Sequence, residues 1–224
     1  MRSLIGFIIV LFIRTFSKIF YRLEVKWLNP YDPSIWDKTR MVVLLNHTSL
    51  YEPLFSQALP LKFLWRFISK MVAPAADKTF NRPLVGTFWK IMIPNASTIT
   101  RKRDESWSHF LKRIDEKSLI VIAPEGRMKR LTGLDSEGKP MTVRGGIADI
   151  IEVLDHGLIL VGYSGGLHHV QAPGEHFPRL FKTIKMNFET IDIIELKKQM
   201  PTESRAFKLK VVESFQKRLE SNCP

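Results

Sequence analysis

The sequence predicts an α/β fold, with a mostly parallel central sheet flanked by helices and an N-terminal membrane-associated helix. Three apolar runs, at residues 41–45, 119–123 and 158–163, each end at turn-forming or polar residues, which is typical of buried strands. Helical patterns lie between these runs, and strands that alternate with helices indicate a parallel sheet covered on both faces. The third observation is the apolar and basic start of the chain, residues 1–30.

The composition is that of a folded, basic and cysteine-poor protein. The length of 224 residues suits one domain, and 45% hydrophobic residues argue against a disordered chain. The single cysteine, Cys223, excludes an internal disulfide and every cysteine-based zinc or iron–sulfur site. Lys and Arg outnumber Asp and Glu by 34 to 22, a formal charge of +12. This balance favours a polyanionic partner: nucleic acid, an anionic membrane surface or a phosphorylated substrate.

The first thirty residues form the first element. Their uninterrupted apolar run covers residues 4–13, whereas a helix needs about 20 apolar residues to span a bilayer. Five basic residues accompany the run, and only Glu24 opposes them. We therefore expect residues 1–30 to form an interfacial or partly inserted helical segment, followed by one domain at residues 31–224. The alternative is that the segment is a core helix of the domain.

The remaining elements follow in order along the chain. Helical patterns begin after Pro53 and cover residues 107–114 and 145–154, and residues 181–188 are a further strand candidate. Gly and Pro at residues 131–143 predict a surface loop. A last helix is predicted by apolar residues at helical spacing, which we expect to dock on the domain: Phe207, Val211, Val212, Phe215 and Leu219.

Two polar clusters follow directly on predicted strands. Residues 46–53 come after the strand at 41–45, and residues 124–130 come after the strand at 119–123. In a parallel sheet both clusters lie outside the carboxyl ends of strands, where open α/β proteins place their ligand sites. The sequence therefore places the functional site at these two segments.

His47 and Glu52 form the candidate catalytic pair of the first cluster. Five residues apart on one helix they would point about 140° away from each other, so they meet only if the chain turns between them. Pro53 marks the start of the helix, which leaves His47 in the preceding loop, free to fold back over Glu52. When a carboxylate accepts a hydrogen bond from one ring nitrogen of a histidine, the other ring nitrogen can accept a proton from a hydroxyl. The alternative is a capping box between Ser49 and Glu52.

The two clusters carry a resemblance to a known family. Residues 46–47 (Asn-His) with an acid five residues after the histidine, followed by residues 124–126 (Pro-Glu-Gly) and a nearby arginine, resemble the glycerolipid acyltransferase superfamily. Residues 80–86 and the segment that ends at Arg101 are similar to the family's second block, which ends in a basic residue. The resemblance makes residues 31–224 an acyltransferase domain.

The chain departs from the family pattern at two places. Glu52 stands where the family generally has Asp, so its carboxylate reaches one methylene further. In the third block, where the family has Glu-Gly-Thr-Arg, Arg127 takes the place of Thr and Met128 takes the place of Arg. The expected phosphate contact therefore moves to Arg127 or passes to Lys129 or Arg130.

The resemblance implies an enzyme of phospholipid biosynthesis. It would transfer a fatty acyl group from acyl-CoA or acyl carrier protein to a hydroxyl of a lysophospholipid, above all 1-acylglycerol-3-phosphate, in one step without an acyl-enzyme. His47 would take the proton from the attacking hydroxyl, and Glu52 would orient His47 and stabilise the imidazolium.

The resemblance also implies a substrate-binding set. Arg101 and Arg127 are expected at the acceptor phosphate, since a guanidinium matches phosphate oxygens. Glu125 is expected to bond a substrate hydroxyl or a neighbouring arginine, and Gly126 to let backbone approach the ligand. Asn46 completes the expected set.

The expected partners are a lipid bilayer, the acceptor lipid and the acyl donor, at the cytoplasmic face of the cell membrane. No cofactor beyond the acyl co-substrate is expected, and no metal, because no acid or cysteine accompanies His168, His169 and His176 at ligand spacing. Nucleic acid is not expected, because the basic residues are spread along the chain without a base-reading motif. Two alternatives stay open: another acceptor (a different lysophospholipid, an aminolipid or a glycolipid), or a non-catalytic binding module.

Overall fold

A computed structural model describes residues 2–76, 86–87, 90–91, 97–100, 105–175 and 177–224. Its strands are β1 (Tyr21–Trp27), β2 (Thr39–Leu45), β3 (Met71–Val72), β4 (Pro74–Ala76), β5 (Ser97–Ile99), β6 (Leu119–Ile122), β7 (Leu158–Ser164) and β8 (Lys182–Asp192). Its α-helices are α1 (Arg2–Phe20), α2 (Ile35–Lys38), α3 (Leu61–Lys70), α4 (Glu105–Lys112), α5 (Gly146–Val153), α6 (Ile193–Lys198) and α7 (Ser204–Asn222). A 3₁₀ helix covers Glu52–Ala58.

Six strands of the described part form one mixed sheet, in the order β1-β8-β7-β2-β6-β3. The strands β7, β2, β6 and β3 run parallel to one another, whereas β8 is antiparallel to β7 and parallel to β1. β4 and β5 form a separate parallel pair. The predicted mostly parallel sheet is confirmed, with two strands of reverse direction at one edge.

Helices cover both faces of this sheet. β2, β6 and β7 are apolar at nearly every position, because successive side chains point to opposite faces and both faces are buried. Val43 and Ile159 share one core with α5 and α7, and Val42 and Leu160 share the other with α1 and the 3₁₀ helix. The apolar stripe of α7 docks on the first core, as expected: Phe207, Val211, Val212, Phe215 and Leu219.

The predicted elements agree with the structure except at a few ends. β8 extends four residues beyond the predicted strand and ends at Asp192. The helix expected after Pro53 is a 3₁₀ helix, closed by bonds three residues apart from Leu54 N to Tyr51 O and from Leu59 N to Ser56 O.

The N-terminal helix ends earlier than expected. We expected a helical segment over residues 1–30, but α1 ends at Phe20, and Tyr21–Trp27 form β1, which pairs with β8 along its whole length. The reason is visible in the sequence Tyr-Arg-Leu-Glu-Val-Lys-Trp, where apolar and charged residues alternate. A period of two is typical of a half-buried strand.

The helix α1 lies against the domain along one side. Arg14 Nη1 donates to the carbonyl oxygens of Ser56 (2.8 Å), Gln57 (3.1 Å) and Leu59 (2.5 Å). Ser17 Oγ donates to Leu54 O at 2.8 Å. These bonds join α1 to the 3₁₀ helix that begins at Glu52.

Candidate active site

The candidate site lies at the carboxyl ends of β2 and β6, which are parallel neighbours. Because both strands run in the same direction, the two polar clusters that follow them emerge at the same edge of the sheet. They are in contact there, since Lys129 N donates to His47 O at 2.8 Å.

His47 and Glu52 contact each other directly. His47 Nδ1 lies 2.7 Å from Glu52 Oε2, and Thr48 N donates to Glu52 Oε1 at 3.1 Å. The other ring nitrogen, Nε2, has no hydrogen-bond partner among the described residues, and 23% of the imidazole side chain is exposed. A ring that donates from Nδ1 has its Nε2 lone pair available for a proton. The loop before Pro53 predicts this contact, and its use in catalysis stays a prediction.

The alternative capping box between Ser49 and Glu52 does not form. Ser49 Oγ accepts from Tyr51 N at 3.2 Å and donates to Gln171 Oε1 at 2.9 Å. Both oxygens of Glu52 are taken by His47 and Thr48. The glutamate therefore orients the histidine rather than the start of a helix.

Burial and charge act on His47 in opposite senses. Burial disfavours the imidazolium and by itself lowers the pKa of His47, but the Glu52 carboxylate, with Glu125 behind the loop, raises that pKa above its usual value. A more basic imidazole accepts a proton from a hydroxyl more readily. The neutral form of His47 is lost when the pH falls below this raised pKa.

Glu125 bonds the backbone of the loop that carries His47. Its carboxylate accepts from Asn46 N at 3.0 Å and from His47 N at 3.4 Å, and the residue is only 1% exposed. Burial raises the pKa of Glu125 to about 7, although His47 and the two amides favour its charged form. We expected Glu125 to bond a substrate hydroxyl or an arginine. In the structure its carboxylate bonds the backbone amides of Asn46 and His47, and a contact with substrate stays a prediction.

Asn46 also stabilises the loop that carries His47. It adopts a left-handed backbone conformation, with φ 63°, which Asn tolerates better than most residues. Its Nδ2 donates to Ser164 O at the end of β7, at 2.8 Å. Leu167 N, just beyond β7, donates to Thr48 Oγ1 at 2.8 Å. The site therefore uses a third strand end, which sequence reasoning missed because its contacts are made by backbone groups, Ser164 O and Leu167 N.

Gly126 and Arg144 lie close to each other next to Glu125. Gly126 has φ 69°, a conformation that favours glycine, and a Cβ there would lie 3.5 Å from Arg144 Cδ. Arg144 Nε donates to Glu125 O at 3.0 Å, and its two terminal nitrogens have no partner among the described residues. Arg144 is thus an exposed cation next to Glu125 and Gly126, and sequence reasoning did not single it out as a site residue.

Arg127, expected at a phosphate, is already engaged. Its Nη1 bonds Asp135 and lies 2.9 Å from Glu137 Oε2. Asp135 is buried, and its pKa falls to about 2 because Lys139 N, Glu137 N and the guanidinium stabilise its charged form. Arg127 therefore braces the loop at residues 131–143 and has its charge balanced within the protein.

The other candidate residues fall into two groups. Arg101 and residues 80–85 of the second block lie outside the described residues. Arg130 Nη1 donates to Pro173 O at 3.3 Å, while the Nε2 atoms of His168 and His169 bond the carbonyl oxygens of Lys129 and Thr183. In the described ranges, no three His, Cys, Asp or Glu side chains come together as metal ligands.

Comparisons with known proteins identify the family. The family model described as Acyltransferase matches residues 21–163, which is more than half of the chain and includes both polar clusters. The chain belongs to the acyltransferase family. The resemblance read from the two clusters is thereby confirmed for this acyltransferase at the level of the family.

A solved structure shares the fold of this acyltransferase. It is the crystal structure of the 1-acyl-sn-glycerophosphate (LPA) acyltransferase, PlsC, from Thermotoga maritima, which matches with a TM-score of 0.52 and 17% identity. The match covers 95% of this chain and 80% of the other. At this identity the likeness establishes the fold alone. A search of curated proteins gives no match.

Proposed function

We propose that this acyltransferase is membrane-associated and transfers a fatty acyl group from an acyl thioester to a hydroxyl of a lysophospholipid, with 1-acylglycerol-3-phosphate as acceptor. The observation that carries the proposal is the bond between His47 Nδ1 and Glu52 Oε2, with Nε2 unpartnered among the described residues. A histidine so placed is suited to activating an oxygen nucleophile. The thioester is that of CoA or acyl carrier protein.

The proposed reaction has one covalent exchange. His47 Nε2 takes the proton of the acceptor hydroxyl while that oxygen attacks the thioester carbonyl carbon, which gives a tetrahedral oxyanion. The carbon–sulfur bond then breaks, the thiolate leaves, and the imidazolium returns the proton to the sulfur. Glu52 stabilises the imidazolium through the 2.7 Å contact to Nδ1. The products are an ester and a free thiol.

We propose that Arg144 binds the phosphate of the acceptor. This guanidinium is exposed, beside Gly126, and its terminal nitrogens are unpartnered among the described residues, whereas Asp135 and Glu137 balance the charge of Arg127. A guanidinium with free N–H groups can form two bonds to phosphate oxygens. The position of Arg144 therefore supports a phosphate-bearing acceptor.

Substitution of Arg144 tests this contact. We expect Arg144→Met to raise the KM for 1-acylglycerol-3-phosphate by about tenfold or more, because a lost charge-assisted bond costs roughly 1.5–3 kcal/mol. The KM for the acyl donor should change little, and Arg144→Lys should recover part of the loss.

Arg127→Met should lower Tm, because it leaves the buried Asp135 without its ion-pair partner, and the acceptor KM should be nearly unchanged. If Arg127→Met alone raises the acceptor KM, the phosphate contact belongs to the third block.

Membrane association is proposed from α1. Within the described ranges, the stretch Ser3–Phe20 of α1 is long and apolar enough to cross a membrane by length and composition, and only 17% of it is buried in the protein. Arg14 and Ser17 bind the domain, so this helix remains docked and presents its other side to lipid.

One assay tests the proposed reaction. Purified protein is given a radiolabelled acyl-CoA or acyl carrier protein thioester and, in parallel, 1-acylglycerol-3-phosphate, other lysophospholipids, an aminolipid, a glycolipid and monoacylglycerol. We expect label in the product of 1-acylglycerol-3-phosphate and far less in that of monoacylglycerol, which lacks the phosphate. Equal acylation of 1-acylglycerol-3-phosphate and monoacylglycerol would favour another acceptor. The ion pair of Arg127 with Asp135 is compatible with that alternative, because Arg127 is then not available to a phosphate. Transfer to none would leave a binding module.

A further inference from the structure

Ten of the sixteen large apolar side chains that are exposed in the described part of the chain belong to α1, α3 and residues 177–181. Two ring contacts join these segments: Phe7 packs edge-on to Trp65 at 5.2 Å, and Phe20 to Phe181 at 5.6 Å. We call this set the apolar surface. Its exposed members are Leu4, Ile5, Ile8, Phe12 and Ile19 of α1, Leu61 and Trp65 of α3, and Phe177, Leu180 and Phe181 before β8.

Phe177 and Phe181 are the most exposed aromatic residues in this set. They are 85% and 77% exposed, although the Phe181 ring also contacts the Phe20 ring. Phe181 N donates to Phe20 O at 2.8 Å, which fixes residues 177–181 beside the end of α1. The two segments therefore present apolar side chains next to each other although they lie 160 residues apart.

The backbone of Phe181 is held in an unfavourable conformation. Its φ is 58°, in the left-handed region, which a bulky residue seldom occupies and glycine occupies freely. Stability alone would favour glycine at this position, and the phenyl ring makes little buried contact in return. A strained backbone at a residue with an exposed ring indicates that the ring contacts something other than the protein itself.

Basic side chains border the apolar surface at the same end. Lys18, Arg22 and Lys182 are exposed, and Lys18 and Lys182 have no ion-pair partner among the described residues. Arg22 Nε lies 3.8 Å from Glu24 Oε1, and both groups face solvent. Cations around exposed aromatic rings are suited to a bilayer that contains anionic lipid, because rings enter the acyl boundary while cations meet head groups.

We propose that Phe177, Leu180 and Phe181 form a second membrane-insertion site, which acts with the outward face of α1 and lays that helix in the plane of an anionic bilayer. The inference rests on the membrane association proposed above. Two separated insertion points hold a helix parallel to the surface, whereas one end-on anchor does not. Because α1 also binds the 3₁₀ helix that begins at Glu52, this orientation brings the catalytic pair close to the lipid in which the acceptor resides.

Vesicle binding tests the site without any need for turnover. Co-sedimentation is measured with vesicles of phosphatidylcholine and phosphatidylglycerol, for the wild type and for the double variant Phe177→Ser, Phe181→Gly. We expect binding to weaken by about tenfold or more, because two aromatic rings no longer leave water. Tm should change little, since glycine relieves the left-handed conformation at position 181.

Matched variants separate the possible causes. Leu209→Ser removes an exposed leucine from α7, on the opposite face of the sheet, and should leave binding unchanged. Ile8→Ser with Phe12→Ser removes apolar side chains from the outward face of α1 and should also weaken binding. A polarity-sensitive fluorophore on Phe177→Cys, in a Cys223→Ser background, should shift to the blue with vesicles, whereas the same label on Leu209→Cys should not.

Each contrary result has a distinct meaning. If the double variant binds like the wild type while the α1 variant does not, the second insertion site is wrong and the proposed membrane association stands. If the α1 variant binds like the wild type, the in-plane placement of α1 is wrong. If the wild type does not bind anionic vesicles, the proposed membrane association fails, and the inference fails with it.

Discussion

The variant His47→Ala should lose turnover by a factor of about 10²–10⁴, because it removes the proposed general base from a step in which the hydroxyl must lose its proton. The KM values should change little, since the imidazole is proposed to act on the proton transfer and not on substrate binding. Folding should be nearly unaffected, because His47 lies in a loop with part of its ring exposed. Steady-state rates with a radiolabelled thioester check this, with Tm and vesicle binding measured on the same preparation.

His109→Ala is the matched control for that variant. His109 is an exposed residue of α4, 4.0 Å from Glu105, and it makes no contact with the site. Its loss should leave the rate unchanged. Near-normal turnover in His47→Ala would mean that another group removes the proton, and the proposed pair would then have only a structural part.

The variant Glu125→Gln should lower turnover by about 10²-fold, since displacing a catalytic group by about 1 Å can cost that much. The carboxylate offers one oxygen to each of two amides, Asn46 N and His47 N. An amide side chain offers one oxygen and turns an N–H donor toward the other amide. A buried N–H without an acceptor costs about 1–3 kcal/mol, so Tm should fall as well. Glu116→Gln, the same change at an exposed residue, serves as the control.

The same variant isolates a pH effect on stability. The pKa of Glu125 is raised from 4.5 to about 7 in the folded protein, so between these values the folded state holds this proton more strongly than the unfolded state. Stability from this group is therefore complete below about 4.5 and is lost as the pH rises to about 7. Chemical denaturation should show the free energy of unfolding of the wild type, minus that of Glu125→Gln, falling across this range. A constant difference would contradict the raised pKa.

The central sheet could be predicted because its strands are buried on both faces. Continuous apolar runs such as residues 119–122 leave few alternatives, and the polar residues that follow them define where each strand ends. β1 was missed for the opposite reason. Its alternating pattern directly follows an apolar helix, so in the sequence it resembles a continuation of the basic amphipathic segment.

The contact between His47 and Glu52 could be predicted because local chain geometry determines it. His47, Glu52 and Pro53 lie within one loop and the following turn, and the contact needs no distant element. The cations and supporting bonds could not be predicted in the same way. The partner of Arg127 depends on how residues 131–143 fold back, and the exposure of Arg144 depends on where α5 begins. Such long-range placement leaves no periodic signal in a single sequence.

The pH dependence of kcat/KM for the wild type and for Glu52→Gln tests most directly whether His47 acts as a base oriented by Glu52. The Glu52 carboxylate raises the pKa of His47, so its loss should move the acid limb of the profile to lower pH. The plateau at high pH should fall at the same time, because the imidazolium formed in the transition state loses its counter-charge. Substrate ionisation is common to both enzymes and cancels in the comparison. An unchanged acid limb, or a plateau equal to that of the wild type, would contradict the account.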